Sequence, residues 1–240
     1  TLDTAFDISS KNAGSEEKLA LNPAGDPISN QTDDITFNND GTKLFAISDN
    51  GAMNIHILST PYDISDATLV ADDGINWRTY KEPWGSSNTT MLPQTIRFNN
   101  DGTKMYLTEA VINTTDPQES VGVVQYNLAT PFVPSSTTTV QVLNLRAQFP
   151  KTNIAIHAMN FDDDGTRMYV SAGNFLAKTD HPHAVYELSI PFEISSAKHV
   201  GTFNFVNASG GGVKAVGGVF SEDGNKYYMT TGDGDSVVEY

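Results

Sequence analysis

The stretch ITFNNDGTKLFAIS (35–48) returns as IRFNNDGTKMYLTE (96–109), MNFDDDGTRMYVSA (159–172) and GVFSEDGNKYYMTT (218–231), four copies of one pattern, F-x-x-D-G-x-x-x-[FY]. A chain that repeats a unit of about 60 residues builds its core by stacking copies of that unit. Within each copy two alternating apolar segments flank an Asp-Gly turn, the signature of a β-hairpin. Gly41, Gly102, Gly165 and Gly224 stand where such a turn requires a positive φ.

A second module follows the hairpin: NIHILSTPYDIS (54–65), VVQYNLATPFVPS (123–135) and AVYELSIPFEIS (184–195). Each reads as a third strand and a turn bearing proline and an aromatic, with a fourth strand after it, as in TTVQVLNL and KHVGTFNF. The fourth copy stops at VVEY, where its siblings continue into the turn. Joined to the N-terminus it gives VVEYTLDTAFDISS, which matches VVQYNLATPFVPSS without a gap, and EKLALN (17–22) then supplies the missing strand. The Asp-Gly glycines are 61, 63 and 59 residues apart, and the step through the termini is 57.

The fold class expected is therefore all-β, a β-propeller of four blades with four antiparallel strands each, closed by the N-terminal strand completing the C-terminal blade. It forms a single domain over 1–240, with repeat units at about 35–95, 96–158, 159–217, and 218–240 plus 1–34. Stacked blades bury each other's faces. Phe37, Phe98, Phe161 and Phe220, with Leu44, Met105, Met168 and Tyr227, are the expected core between them. The hairpin resembles the F-x-P-D-G-x-x-L-Y-V units of TolB-like and YVTN-type β-propellers, and the S-T-P-[FY]-D-I-S turn resembles a variant in repeat proteins of marine bacteria and phages. This resemblance covers essentially the whole chain and implies the propeller fold. Its relatives serve as adhesins, scaffold modules, virion parts and, in some subfamilies, enzymes. Where the TolB-like motif has proline, this chain has Asn39, Asn100, Asp163 and Glu222.

Composition narrows the partners. With 14 basic against 29 acidic residues the net charge is −15, and no basic run offers a surface to nucleic acid or anionic lipid. No apolar run reaches the roughly 20 residues that cross a bilayer as a helix. Cysteine is absent, which removes disulfides and thiolate chemistry.

In a propeller the innermost strands line a central channel, and the residues just before them stand at its mouth. These are Asp33 and Asp34, Gln94 and Thr95, His157 and Ala158, and Val216 and Gly217. Acids, an amide and an imidazole converging on an axis offer the oxygen and nitrogen ligands of a divalent metal, the arrangement of a metal-dependent hydrolase. The same residues also suit a hydrated channel with no metal. The aspartates of NNDGTK and DDDGTR lack the glutamate that closes a calcium loop, and the turn accounts for them. Trp77, Tyr80 and Trp84, on the long connection 72–93, form either a stacking platform for a glycan or protein or a local lid. His181 and His183 read as residues of the loop 173–184.

No nucleophile elbow, P-loop, zincin or dinucleotide motif occurs. The function expected is that of a non-catalytic binding or assembly module, outside the cell or on a virion, recognising a protein or glycan through loops on one face. No cofactor is expected, though a divalent metal fits the channel. The rival is the metal-dependent hydrolase at the channel mouth.

Overall fold

The first three Asp-Gly turns close on their own side chains. Asn38 Oδ1 accepts from Lys43 N at 2.8 Å, and Asp40 Oδ1 accepts from Thr42 N at 3.0 Å and Thr42 Oγ1 at 2.5 Å. Asn99 and Asp101 repeat this with Lys104 and Thr103, and Asp162 and Asp164 with Arg167 and Thr166. The carboxylates of these three turns are thus committed to the local backbone. The glycines Gly41, Gly102, Gly165 and Gly224 sit at φ +69, +70, +70 and +68.

The computed structural model describes residues 17–19, 21, 32–48, 51–72, 75, 77, 91–111, 121–149, 154–174, 182–204, 215–221, 224–231 and 236–239. The first blade comprises β1 (Asp34–Phe37), β2 (Lys43–Ile47), β3 (Met53–Ile57) and β4 (Thr68–Asp72). The second comprises β5 (Met91–Phe98), β6 (Lys104–Val111), β7 (Gly122–Leu128) and β8 (Thr137–Asn144). The third comprises β9 (Ile154–Phe161), β10 (Arg167–Asn174), β11 (Pro182–Leu188) and β12 (Ala197–Asn204). The fourth shows β13 (Ala215–Phe220), β14 (Tyr227–Thr231) and β15 (Ser236–Glu239). Strands pair antiparallel in chain order within each blade, so the molecule is an all-β, four-bladed β-propeller. One bridge, Ala110 to Ala155, also joins the second and third blades.

The seams between blades follow the repeat. Phe45 meets Phe98 with ring centroids 4.7 Å apart, Tyr106 meets Phe161 at 4.7 Å, and Tyr169 meets Phe220 at 4.5 Å. Such a pair contributes about 0.5–1.5 kcal/mol beyond its buried area. Leu44, Met105, Met168 and Tyr227 are buried, as expected of the inter-blade core. The equivalent pair on the fourth seam would be Tyr228 and Phe37. Among the described residues no ring contact joins them.

The proline turns carry a device of their own. Tyr62, Phe132 and Phe192 adopt φ of 62, 55 and 59, and their amides donate to the carbonyls of Gly41, Gly102 and Gly165 at 2.9 Å. Each ring lies flat over its glycine, where a Cβ would overlap ring atoms. Glycine is therefore required there twice, once by φ and once by the ring. The third blade's turn also grips the second blade: Lys104 Nζ meets Glu193 Oε2 at 3.0 Å, Gln125 Oε1 accepts from Ile194 N at 3.0 Å, and Tyr106 Oη donates to Phe192 O at 2.5 Å.

The closing segment reaches the first blade. Of 17–22, residues 17–19 and 21 are described and carry no strand assignment of their own. The Leu21 carbonyl accepts from Asn54 Nδ2 of β3 at 3.0 Å, and Leu21 packs on Ala46 and Ala52, whose small side chains admit it. The rest of the expected closure, residues 1–16 and 22–31, lies outside the described residues.

Candidate functional site

Registers divide the propeller into two faces. The Asp-Gly turns and proline turns lie together on one, since each turn ring sits on its glycine. The opposite face carries the starts of the inner strands, for Met91 pairs with Val111 at the far end of β6, and Ile154 with Asn174 at the far end of β10. The channel-mouth residues are therefore on the face that also receives the long connections.

There the inner strands share an irregularity. The β5–β6 register steps from Pro93↔Glu109 to Thr95↔Thr108 and skips Gln94. That of β9–β10 skips His157, and that of β13–β14 skips Val216. Counted back from the Asp-Gly glycines these are one and the same repeat position, which in the first blade is Asp33, immediately before β1. A bulge leaves a residue without a ladder partner and re-aims its neighbours.

The four inner strands converge on a cavity of about 420 Å³, lined by Asp33, Asp34, Arg97, His157, Gly217 and Gly218 among others. Blade one contributes the acids, blade two the guanidinium and blade three the imidazole, while blade four supplies the largest share, from Gly217–Val219 of β13, Tyr228–Thr230 of β14 and Val237 of β15. Asp34 is the most constrained of these. Its Oδ2 accepts from the Arg97 guanidinium and, at 3.0 Å, from Ile96 N, while Oδ1 accepts from Ile35 N at 2.9 Å. Burial pushes the Asp34 carboxyl up, against the pull of the Arg97 charge. The ion pair thus spans the first seam and leaves neither carboxylate oxygen of Asp34 without a donor. A divalent cation at Asp34 would compete with Arg97 for the carboxylate, and a guanidinium beside the axis repels such an ion. Among the described residues no group of three His, Asp or Glu side chains gathers in metal-ligating geometry.

The remaining expected site residues fall elsewhere. Gln94 is half-buried and Thr95 is buried, and neither lines the cavity. The bulge turns Thr95 into the seam, where its hydroxyl lies 2.9 Å from that of Thr108, which in turn donates to Ile156 O at 3.3 Å. Thr95 is a strut between blades two and three. Trp77 is fully buried, edge-on to Tyr126 at 5.2 Å, with its amide donating to Gly51 O at 2.9 Å. It fills the first seam beside Ile96 and Met105 and has no face to offer a sugar, so the platform reading fails for this residue. Tyr80 and Trp84 lie outside the described residues. His183 is a correction too: it belongs to β11, is 3 % exposed, and shares a 2.6 Å hydrogen bond with Ser171 Oγ. His181 lies outside the described residues.

Arg97 escaped the sequence reading. Its signal was present, since it is the one cation at a repeat position otherwise held by Thr36, Asn160 and Val219.

No family model matches the sequence, and no curated protein matches it either. Among solved structures the chain is similar to the β-propeller domain of Myceliophteria thermophila Cps50 (Swd1), with 11 % identity and a TM-score of 0.46 over 87 % of this chain and 52 % of that one. The chain spans about half the length of the structure it matches.

Proposed function

We propose that this chain is a non-catalytic binding module that docks a protein partner at the channel-mouth face, outside a cell or on a virus particle. The observation that carries this reading is the commitment of Asp34 to Arg97 and to backbone donors. A general base or metal-bound nucleophile needs a carboxylate held for the reaction, and here the central one is held for the scaffold. What the cavity then offers is recognition: the exposed Asp33, the half-buried His157, and the backbone of Gly217 and Gly218. With a chain charge of −15, a basic or amide-bearing segment of a partner complements it best. The extracellular or virion setting rests on the acidic, cysteine-free sequence with 19 glycines, a composition suited to exposure without redox protection.

The test is a panel of short peptides matched in length and differing in one central residue, Lys, Gln or Glu, titrated into the whole chain by fluorescence anisotropy at low and high salt. Lysine peptides bind several-fold more tightly than glutamate peptides at low salt, and Asp33→Asn removes the difference without moving the melting temperature. Equal binding of all three peptides, or a preference unaffected by Asp33→Asn, overturns the proposal.

A further inference from the structure

Three of the four Asp-Gly glycines are buried under an aromatic ring: Gly41 under Tyr62, Gly102 under Phe132 and Gly165 under Phe192. Gly224 adopts the same conformation, with φ +68, and is exposed. Beside it, between blades three and four, lies a cavity of about 310 Å³ whose walls include Tyr169, Phe220 and Gly224. These are the repeat equivalents of Tyr106, Phe161 and Gly165, and in the preceding seam those three hold Phe192. Its ring meets Phe161 at 5.3 Å and covers Gly165, and its carbonyl accepts from Tyr106 Oη at 2.5 Å. The cavity therefore has the walls of a ring seat. Tyr169 registers the difference, half-buried where Tyr106 is fully buried.

A cation of the preceding blade reaches the turns of blades two and three. Lys43 Nζ donates to Phe132 O at 3.4 Å, and Lys104 Nζ meets Glu193 Oε2, one residue beyond Phe192, at 3.0 Å. In blade three Arg167 holds that repeat position, and it is exposed. A ring followed at once by an acid would meet both the glycine and the guanidinium. The runs of that kind ending in Ile-Ser are YDIS (62–65), FEIS (192–195) and FDIS (6–9). The first two are already seated, on Gly41 and Gly165.

We propose that this seat takes the third run: residues 6–9 of the same chain dock between blades three and four, with the Phe6 ring on Gly224 and the Asp7 carboxylate on Arg167. Residues 1–16 lie outside the described residues, and the register is that of the repeat, in which TLDTAFDISS placed after Tyr240 sets Phe6 against Phe132 and Phe192, and Asp7 against Glu193. Burial of the phenyl ring and the charge-assisted contact to Arg167 supply the attraction. Ala5 stands where the siblings have Pro61, Pro131 and Pro191, so this turn is not pre-set in φ and loses more chain entropy on docking than the other three. The docked run is a latch on the turn face, distinct from the strand expected over 17–22, and it neither uses nor depends on the channel-mouth face.

The test reads the Gly224 Hα chemical shifts in the intact, isotope-labelled chain, because a ring lying flat on a glycine shields its Hα protons. Gly41, Gly102 and Gly165 supply the upfield reference within the same spectrum. Wild-type Gly224 joins them, and Phe6→Leu returns Gly224 alone toward the random-coil position. Should Phe6→Leu fail to fold, NOEs from the Phe6 ring to the Gly224 Hα protons of the wild type decide the matter. Sedimentation velocity over a dilution series, with the shift followed in parallel, distinguishes this chain's own Phe6 from that of a second copy. An unshifted Gly224 in the wild type, a shift that survives Phe6→Leu, missing NOEs, or a shift present only in a dimer overturns the inference.

Discussion

Gly102→Ala puts the construction of a blade to a quantitative test. The first cost is backbone: φ is +70, and an alanine held in the left-handed region loses about 1 kcal/mol. The second is steric. The new Cβ would overlap Phe132 Cδ2 and Cε2, with Cζ only 2.6 Å away, so the ring must leave. It cannot pivot cheaply. Its amide donates to Gly102 O at 2.9 Å, its own φ is fixed at 55, and its face meets Phe98 at 5.2 Å. Giving up that contact and part of the burial costs a further 1.5–2.5 kcal/mol or so. The control is the same substitution in a Phe132→Ala background, where no ring stands over the glycine and only the backbone cost is left. Urea denaturation at constant m measures both. Gly102→Ala costs about 3 kcal/mol in the wild-type background and falls back to about 1 kcal/mol in the Phe132→Ala background. A Gly102 cost indifferent to Phe132 refutes the ring-on-glycine account.

Two further outcomes follow from the same structure. Trp77→Ala empties the first seam and costs about 3–5 kcal/mol by urea denaturation, whereas a surface platform residue would cost under about 0.5 kcal/mol. Asp40, Asp101 and Asp164 have carboxyls lowered chiefly by the threonine hydroxyls and amides they accept from; in Glu193 burial pushes upward, but hydrogen bonds from Lys104 and Gln125 prevail and lower it. Groups lowered on folding lend stability that is present above their unfolded pKa, near 4, and lost as pH falls through the folded values. The raised Asp34 works in the opposite sense. The midpoint of denaturation therefore drops as pH is taken from about 5 to 3. The triple variant Asp40→Asn, Asp101→Asn, Asp164→Asn flattens that fall, and an unchanged slope counts against the assignment.

The blades were legible because local chemistry alone dictates them: the Asp-Gly turn, period-two alternation and the S-T-P-[FY] turn each act within about ten residues. The seat of Phe132 on Gly102 joins positions 30 apart, and nothing in either motif announces it. At the axis the shared repeat position of Asp33, Gln94, His157 and Val216 follows from counting along the repeat, and of these Asp33 and His157 line the cavity. The direction of the side chains does not follow from counting. A one-residue bulge decides which way Gln94 and Thr95 turn, and bulges leave no mark in an alternating pattern. Trp77 misled because the loop around it is polar, while its hydrogen bond to Gly51 draws the indole into a seam. Arg97 was legible only as a break in an otherwise uncharged repeat position.

Metal content tests most directly whether the axis is built for binding or for metal-assisted hydrolysis. Protein purified without chelator and dialysed exhaustively is analysed by inductively coupled plasma mass spectrometry, alongside His157→Ala, with melting curves in the presence and absence of EDTA. Commitment of Asp34 to Arg97 predicts far less than one divalent ion per chain and a melting temperature indifferent to EDTA. Retention of about one ion per chain, lost in His157→Ala and accompanied by chelator-sensitive melting, contradicts it.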